Sequence, residues 1–193
     1  MDSAVLVPIK AFGAAKLRLA PALPPAARAE LVQAMAARVL AAAAPLPVAV
    51  VCDDEDVARF AEAHGAGVIW TPGLGLDGAV TAGVEHLRRA GHEAVVCAHA
   101  DLPLADRFDH LADRPGTVTL VPDRRDDGTN VIVVPSDVGF RFAYGAGSFA
   151  RHRAEAETLG LRVRIVRDER LGWDVDVPAD LDVPAALGGL ACG

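Results

Sequence analysis

Lysine is almost missing from this sequence: of nineteen basic residues only Lys10 and Lys16 are lysines, and both fall in one loop. A compact ammonium serves as a point charge for phosphate where a planar guanidinium does a different job, so that placement is read as functional. Cysteine is scarce as well. Cys52, Cys97 and Cys192 are odd in number and form no C-x-x-C pair, which excludes a disulfide framework and a zinc site; Cys52 and Cys97 close apolar runs and are expected as buried thiols. Long apolar runs are absent near the start, where the five-residue run AVLVP is too short for the core of a secretion signal or for a bilayer span. The sequence therefore predicts a cytoplasmic protein with no membrane partner. Net positive charge is missing too, and a formal charge of −7 opposes a nucleic-acid partner. An anionic small substrate stays admissible if local cations or metal ions meet it. No Walker A loop, internal repeat, low-complexity tract or interdomain linker is present.

What is there is a chain of 193 residues with 52% hydrophobic and 23% charged residues, enough for one globular domain over 1–193 with a sizeable core. Apolar runs at Ala4–Pro8, Val48–Cys52, Val68–Trp70 and Ala94–Ala98 predict strands, and Pro24–Ala44, Asp54–His64 and Leu76–Ala90 predict the helices between them. This β-α-β rhythm predicts an α/β fold with a mostly parallel sheet between helices. After Asp101 the rhythm changes. Short strands at Thr117–Val121 and Val131–Val134, a helix from about Ser148 to Leu159 and a strand at Arg162–Val166 predict some antiparallel pairing.

In open α/β sheets ligands sit at the carboxyl ends of the strands, so the chemistry is expected there. The loop IKAFGAAKLRL puts Lys10, Lys16 and Arg18 around Gly13, either to cradle phosphates or as a solvated basic loop. Gly73, Gly75 and Gly78 imitate a dinucleotide fingerprint with Asp101 downstream. However, they follow the third strand, with Pro72 before them, so packing against a base or ribose, or a plain tight turn, accounts for them equally. Asp101 ends an apolar strand, and Asp174 and Asp176 form a D-x-D whose extended backbone points both carboxylates to one face. Each alone passes as a cap or turn residue. Together beside a lysine loop they predict a magnesium site, because acids at the ends of apolar runs need a compensating charge. Ser148 after Gly145 and Gly147 reads as a helix cap whose free N–H groups suit an anion, and His152 reads as solvent-facing rather than catalytic. In VPDRRDDGTNVIVV, the charged run Asp123–Asp127 is expected to stay solvated, and Gly128, Thr129 and Asn130 to contact an anionic acceptor.

Five motifs in order, V-P-I-K-x5-K-x-R-L-A, A-D-L-P-L, P-D-x4-G-T-N, Y-G-x-G-S-F-x-x-H and D-V-D-V-P-A-D-L, cover nearly the whole chain. This series resembles the phosphoenolpyruvate and 2-phospho-L-lactate guanylyltransferases of coenzyme F420 biosynthesis. The resemblance implies a Rossmann-like nucleotidyltransferase fold of glycosyltransferase-A type, with GTP and Mg²⁺ as requirements. It implies that Asp101, Asp174 and Asp176 hold the metal, and that Lys10, Lys16 and Arg18 form the nucleotide-phosphate loop, with Gly13, Gly75 and Gly78 beside the nucleotide. Thr129, Asn130, Gly145 and Ser148 are implied around the phosphorylated acid. The pattern departs from the family at Leu17 and Asp77, where relatives carry a hydroxyl residue and an uncharged polar residue. The implied reaction is in-line attack of a phosphate oxygen on the α-phosphorus of GTP, with Asp101, Lys16 and Arg18 acting at the reacting groups and no general base. Phosphoenolpyruvate is the first acceptor by analogy; 2-phospho-L-lactate and 3-phospho-D-glycerate are the alternatives, and a molybdopterin or sugar-phosphate nucleotidyltransferase is the further one. A downstream transferase receiving the unstable product and a homodimer are the other partners expected.

Overall fold

The computed structural model describes residues 2–112, 114–184 and 187; Cys192 lies outside them. The elements run β1 (Ser3–Pro8), α1 (Pro25–Ala42), β2 (Val48–Cys52), α2 (Glu55–Ala63), β3 (Gly67–Trp70), α3 (Gly75–Arg89), β4 (Ala94–Ala98), β5 (Thr117–Pro122), β6 (Thr129–Pro135), α4 (Ser148–Thr158) and β7 (Arg162–Ile165). They agree with the sequence reading to within a few residues. Pro25 opens α1 at a position that needs no N–H, and the Asp54 side chain caps α2 by accepting from the Asp56 and Val57 N–H groups.

All seven strands form one sheet in the order β3-β2-β1-β4-β6-β5-β7. The pairs β1–β2, β1–β4, β2–β3 and β5–β7 are parallel, while β6 pairs antiparallel with both β4 and β5. The expected mixed, mostly parallel sheet thus has a single reversed strand, β6. Period-two alternation sorts the strand residues onto two faces. Val5, Val7, Val50 and Val96 pack with Val32, Met35 and Val39 of α1 and Val57 of α2. Ala4, Leu6, Val51 and Val95 face α3 through Val80, Val84 and Leu87. Both faces being covered explains why the strands read as unbroken apolar runs. At Gly83, α3 lies so close to the sheet that a Cβ would come within 2.6 Å of Leu6 and 2.8 Å of Val51.

The strand order turns at β1: the chain moves outward through β2 and β3, then returns to the other side of β1 with β4. The carboxyl ends of β1 and β4 therefore flank the crevice in which open α/β sheets bind ligands.

Candidate active site

Beyond β1 the chain makes two 3-10 turns, Phe12–Ala14 and Leu17–Leu19, the second anchored by the buried Leu19. Lys16 stands between them at φ 54° and ψ 42°. That left-handed conformation costs an L-residue about 1–2 kcal/mol and persists where surrounding contacts over-determine it. Those contacts are carboxylates. Lys16 Nζ donates to Asp101 Oδ2 and, at 2.6 Å, to Asp176 Oδ1. Asp101 follows β4 by three residues, and the Val175 N–H donates to its carbonyl at 3.2 Å, docking the Asp174–Asp176 segment beside it.

Burial opposes the Lys16 charge, but Asp101 and then Asp176 outweigh it and raise the ammonium pKa above its ordinary value. Burial likewise pushes Asp101 up, and Lys16 followed by His99 overcomes it, so this carboxylate titrates below the usual range. Asp174 lacks such help. Burial, then the neighbouring Asp101 and Asp176 charges, raise its pKa.

Two buried carboxylate oxygens, Asp101 Oδ1 and Asp174 Oδ1, have no hydrogen-bond partner. Hard oxygen donors in this state suit a divalent cation. The expected three-aspartate metal group is nevertheless not preassembled: Lys16 Nζ fills the gap between Asp101 and Asp176. Among the described residues no three His, Cys, Asp or Glu side chains converge to hold a metal. The donor chemistry fits the ion, and the ammonium holds the carboxylates in its place.

Around this centre lies a cavity of about 440 Å³ lined by Lys10, Lys16, Arg18, His99, Asp101 and Asp176 among others. A second hollow of about 350 Å³ adjoins it across Pro8, Ile9, Lys10 and Leu76, and runs to Asp53, Thr71 and Gly75. Lys10, Lys16, Arg18, Asp101 and Asp176 are thus brought together, with Gly75 next door. Gly13 is not among them; it borders a separate hollow with Asp54 and Asp56. Gly78 lies inside α3 and lines neither cavity, its Cα facing Leu74.

The acceptor-side residues need correction. Thr129 is buried, and its hydroxyl bonds Nδ1 of His152 at 3.0 Å; Asn130 is also buried, and its amide donates to the Leu171 carbonyl at 2.9 Å. Neither side chain is available to a substrate in this arrangement. His152 is not solvent-facing, because it is fully buried and its Nε2 accepts the Ala143 N–H at 3.0 Å. The cap of α4 is Gly147, at φ 72°, while Ser148 is buried with its N–H donated to Gly145 O at 3.0 Å.

Residues 124–127 of the charged run are exposed, as expected, but its side chains are paired and do structural work. Asp123 accepts from the Arg125, Asp127 and Gly128 N–H groups, and a Cβ on Gly128 would sit 2.9 Å from that carboxylate. Arg124 lies 4.3 Å over the Trp173 ring and joins Arg125 on the fully buried Asp180. Asp180 also accepts the Asp176 and Val177 N–H groups at 2.8 and 2.9 Å. This pairing fixes the backbone that carries Asp174 and Asp176. Sequence reasoning missed Asp180, Arg124 and His99; the first two carried a signal in the conjunction of a charged loop with P-A-D-L, the third in its place two residues before Asp101 at a strand end.

The residues 3–184 match the family described as "Guanylyl transferase CofC like". The chain belongs to this family. It is a nucleotidyltransferase. A phosphoenolpyruvate guanylyltransferase of Sphaerobacter thermophilus is 37% identical over 94% of this chain and 92% of its own length. One from Conexibacter woesei is 37% identical over 94% of this chain and 86% of that protein. Among solved structures, a cytidylyltransferase from Leptospira borgpetersenii superposes with a TM-score of 0.61 at 12% identity, covering 93% of this chain and 83% of that one. A CMP:2-keto-3-deoxy-manno-octonic acid synthetase complexed with CTP gives 0.58 at 16% identity, over 94% and 96%. These establish the nucleotidyltransferase fold expected from the sequence.

Proposed function

We propose that this family member transfers GMP from GTP to phosphoenolpyruvate, releasing pyrophosphate and forming enolpyruvoyl-2-diphospho-5'-guanosine for coenzyme F420 biosynthesis. One observation carries the reading. The two lysines of the sequence line one cavity with Asp101 and Asp176 at the β1/β4 crevice of a guanylyltransferase-family fold, with Lys16 bridging the two carboxylates. The phosphate oxygen of the acceptor attacks the α-phosphorus of GTP; that P–O bond forms as the bond to the bridging α–β oxygen breaks, and pyrophosphate carries the electron pair away. A phosphate oxygen is already ionised near neutral pH, so no base is needed. Lys16 and Arg18 meet charge on the leaving pyrophosphate, and Lys10 with the Gly75 hollow takes the rest of the nucleotide.

Asp101, Asp174 and Asp176 would hold Mg²⁺, which when bound supplies charge neutralisation between the two anions. The loop containing Gly145, whose Tyr144 ring packs 5.1 Å from the cavity-lining His99, would offer backbone N–H groups to the acid. This reading makes 1–193 one nucleotidyltransferase domain working in the cytoplasm, passing its unstable product to a second transferase. Among the described residues no helix is long and apolar enough to cross a membrane.

The test is pyrophosphate release from GTP, ATP and CTP with phosphoenolpyruvate, 2-phospho-L-lactate and 3-phospho-D-glycerate in turn, coupled to a transferase that traps the product. Release with GTP and phosphoenolpyruvate is expected to dominate. Absence of release with every three-carbon acid overturns the assignment.

A further inference from the structure

An arginine beside an anion site is ordinarily taken for an anion ligand, yet the geometry of Arg151 says otherwise. Its guanidinium donates from Nε and Nη2 to Ala143 O at 3.2 and 2.9 Å, from Nη2 to Tyr144 O at 3.0 Å and Gly145 O at 3.4 Å, and from Nη1 to Ala146 O at 2.6 Å. Four successive carbonyls therefore converge on one cation. In a trans peptide the N–H points away from its C=O partner, so the N–H groups of residues 144 to 147 turn to the opposite side. The outer pair shows what that side accepts. Tyr144 N donates to Asp77 Oδ1 at 2.9 Å and Gly147 N to Asp127 Oδ1 at 3.1 Å, both carboxylates. Between them, Gly145 N and Ala146 N have no protein acceptor among the described residues.

We propose that Arg151 is the positioning residue of the acceptor site: by gathering the carbonyls of residues 143–146 it holds the Gly145 and Ala146 N–H groups toward the carboxylate of the acceptor, without touching the acceptor itself. The assignment rests on the reading of this loop as the acceptor-binding one. Asp77 and Asp127 fix the two ends of the row, which gives Asp77, a departure from the family pattern, a task unrelated to the base. Gly147 belongs to the same device, since its left-handed backbone turns the chain into α4 and a Cβ there would lie 3.2 Å from Arg151 Nη1. Lysine cannot replace this arginine, because three donors on one flexible ammonium do not serve four successive carbonyls at once.

Initial rates of pyrophosphate release are measured with each substrate varied in turn for the wild type, Arg151→Lys, Arg151→Ala and the control Arg153→Ala, which removes an exposed pair with Glu157 on the same helix. Both Arg151 variants are expected to raise KM for phosphoenolpyruvate on the order of tenfold, with KM for GTP kept within about twofold. Millimolar guanidinium lowers the raised KM of Arg151→Ala, and Arg153→Ala behaves as wild type. Calorimetric titration of the folded Arg151→Lys protein with phosphoenolpyruvate reads the same loss without turnover. Equal rises in both KM values, or none, overturn the assignment of Arg151 alone. A wild type that releases no pyrophosphate with any acceptor overturns the guanylyltransferase reading, and this assignment with it.

Discussion

His152 gives the fold a defined sensitivity to acid. Its Nε2 accepts from the Ala143 N–H, so the ring proton resides on Nδ1 and is donated to the Thr129 hydroxyl. Protonating Nε2 would set N–H against N–H inside a fully buried pocket. Burial first, and the charge of Arg151 second, hold its pKa down to about 4 from an ordinary 6.5. Above pH 6.5 the ring is neutral in both folded and unfolded chains and its bonds are intact. As pH falls below that value the unfolded chain binds a proton that the folded one refuses, so stability declines until the folded value near 4 is passed. At 1.36 kcal/mol per pH unit the loss comes to about 3 kcal/mol. Urea denaturation of the wild type and His152→Gln at pH 7, 6, 5 and 4 isolates this contribution, because other groups cancel in the difference. The advantage of the wild type should shrink by about 3 kcal/mol across that range. Parallel stability curves, or an imidazole that titrates near 6.5 by NMR, would refute the reasoning.

The active centre and the core make further predictions. Lys16→Met leaves Asp101 and Asp176 without their ammonium, and the rate of pyrophosphate release should fall on the order of 10²–10³-fold; a near-wild-type rate counts against the role given to Lys16. Asp180→Ala strands two arginines and two N–H groups around a fully buried position, and should cost about 3–5 kcal/mol in urea unfolding. Gly83→Ala drives a methyl group into Leu6 and Val51, for a loss of about 1–3 kcal/mol, measured as a lower urea midpoint with unchanged slope. Chelation of divalent cations should abolish turnover while far-UV circular dichroism stays unchanged, and Mg²⁺ should restore it.

The strands were legible because valine-rich runs covered on both faces stand out against their Asp, Gly and Pro boundaries. Lys16 and Asp101 were legible for a related reason, since charged residues at strand ends in an α/β rhythm have few places to go. The insertion of β6 between β4 and β5 was not, because pairing depends on which edges meet in space and spacing along the chain does not encode it. The errors at Thr129 and His152 share one cause. The Thr129 hydroxyl stood next to a glycine and an apolar strand, and only the packing of α4 over β6 brings the imidazole to it. The structural task of the charged loop was harder to read: Asp180 lies 55 residues beyond Arg125, and only the distant P-A-D-L motif hints at the pairing.

The confinement of both lysines to the cavity has a practical side. Apart from the α-amino group, every primary amine of this chain borders the proposed nucleotide site. Acylating reagents therefore address that proposed site almost alone. Lys10 is exposed and should react first, whereas Lys16, protonated and held between two carboxylates, should react slowly. Intact-mass measurement of such adducts, with and without nucleotide, turns a quirk of composition into a built-in footprint of occupancy.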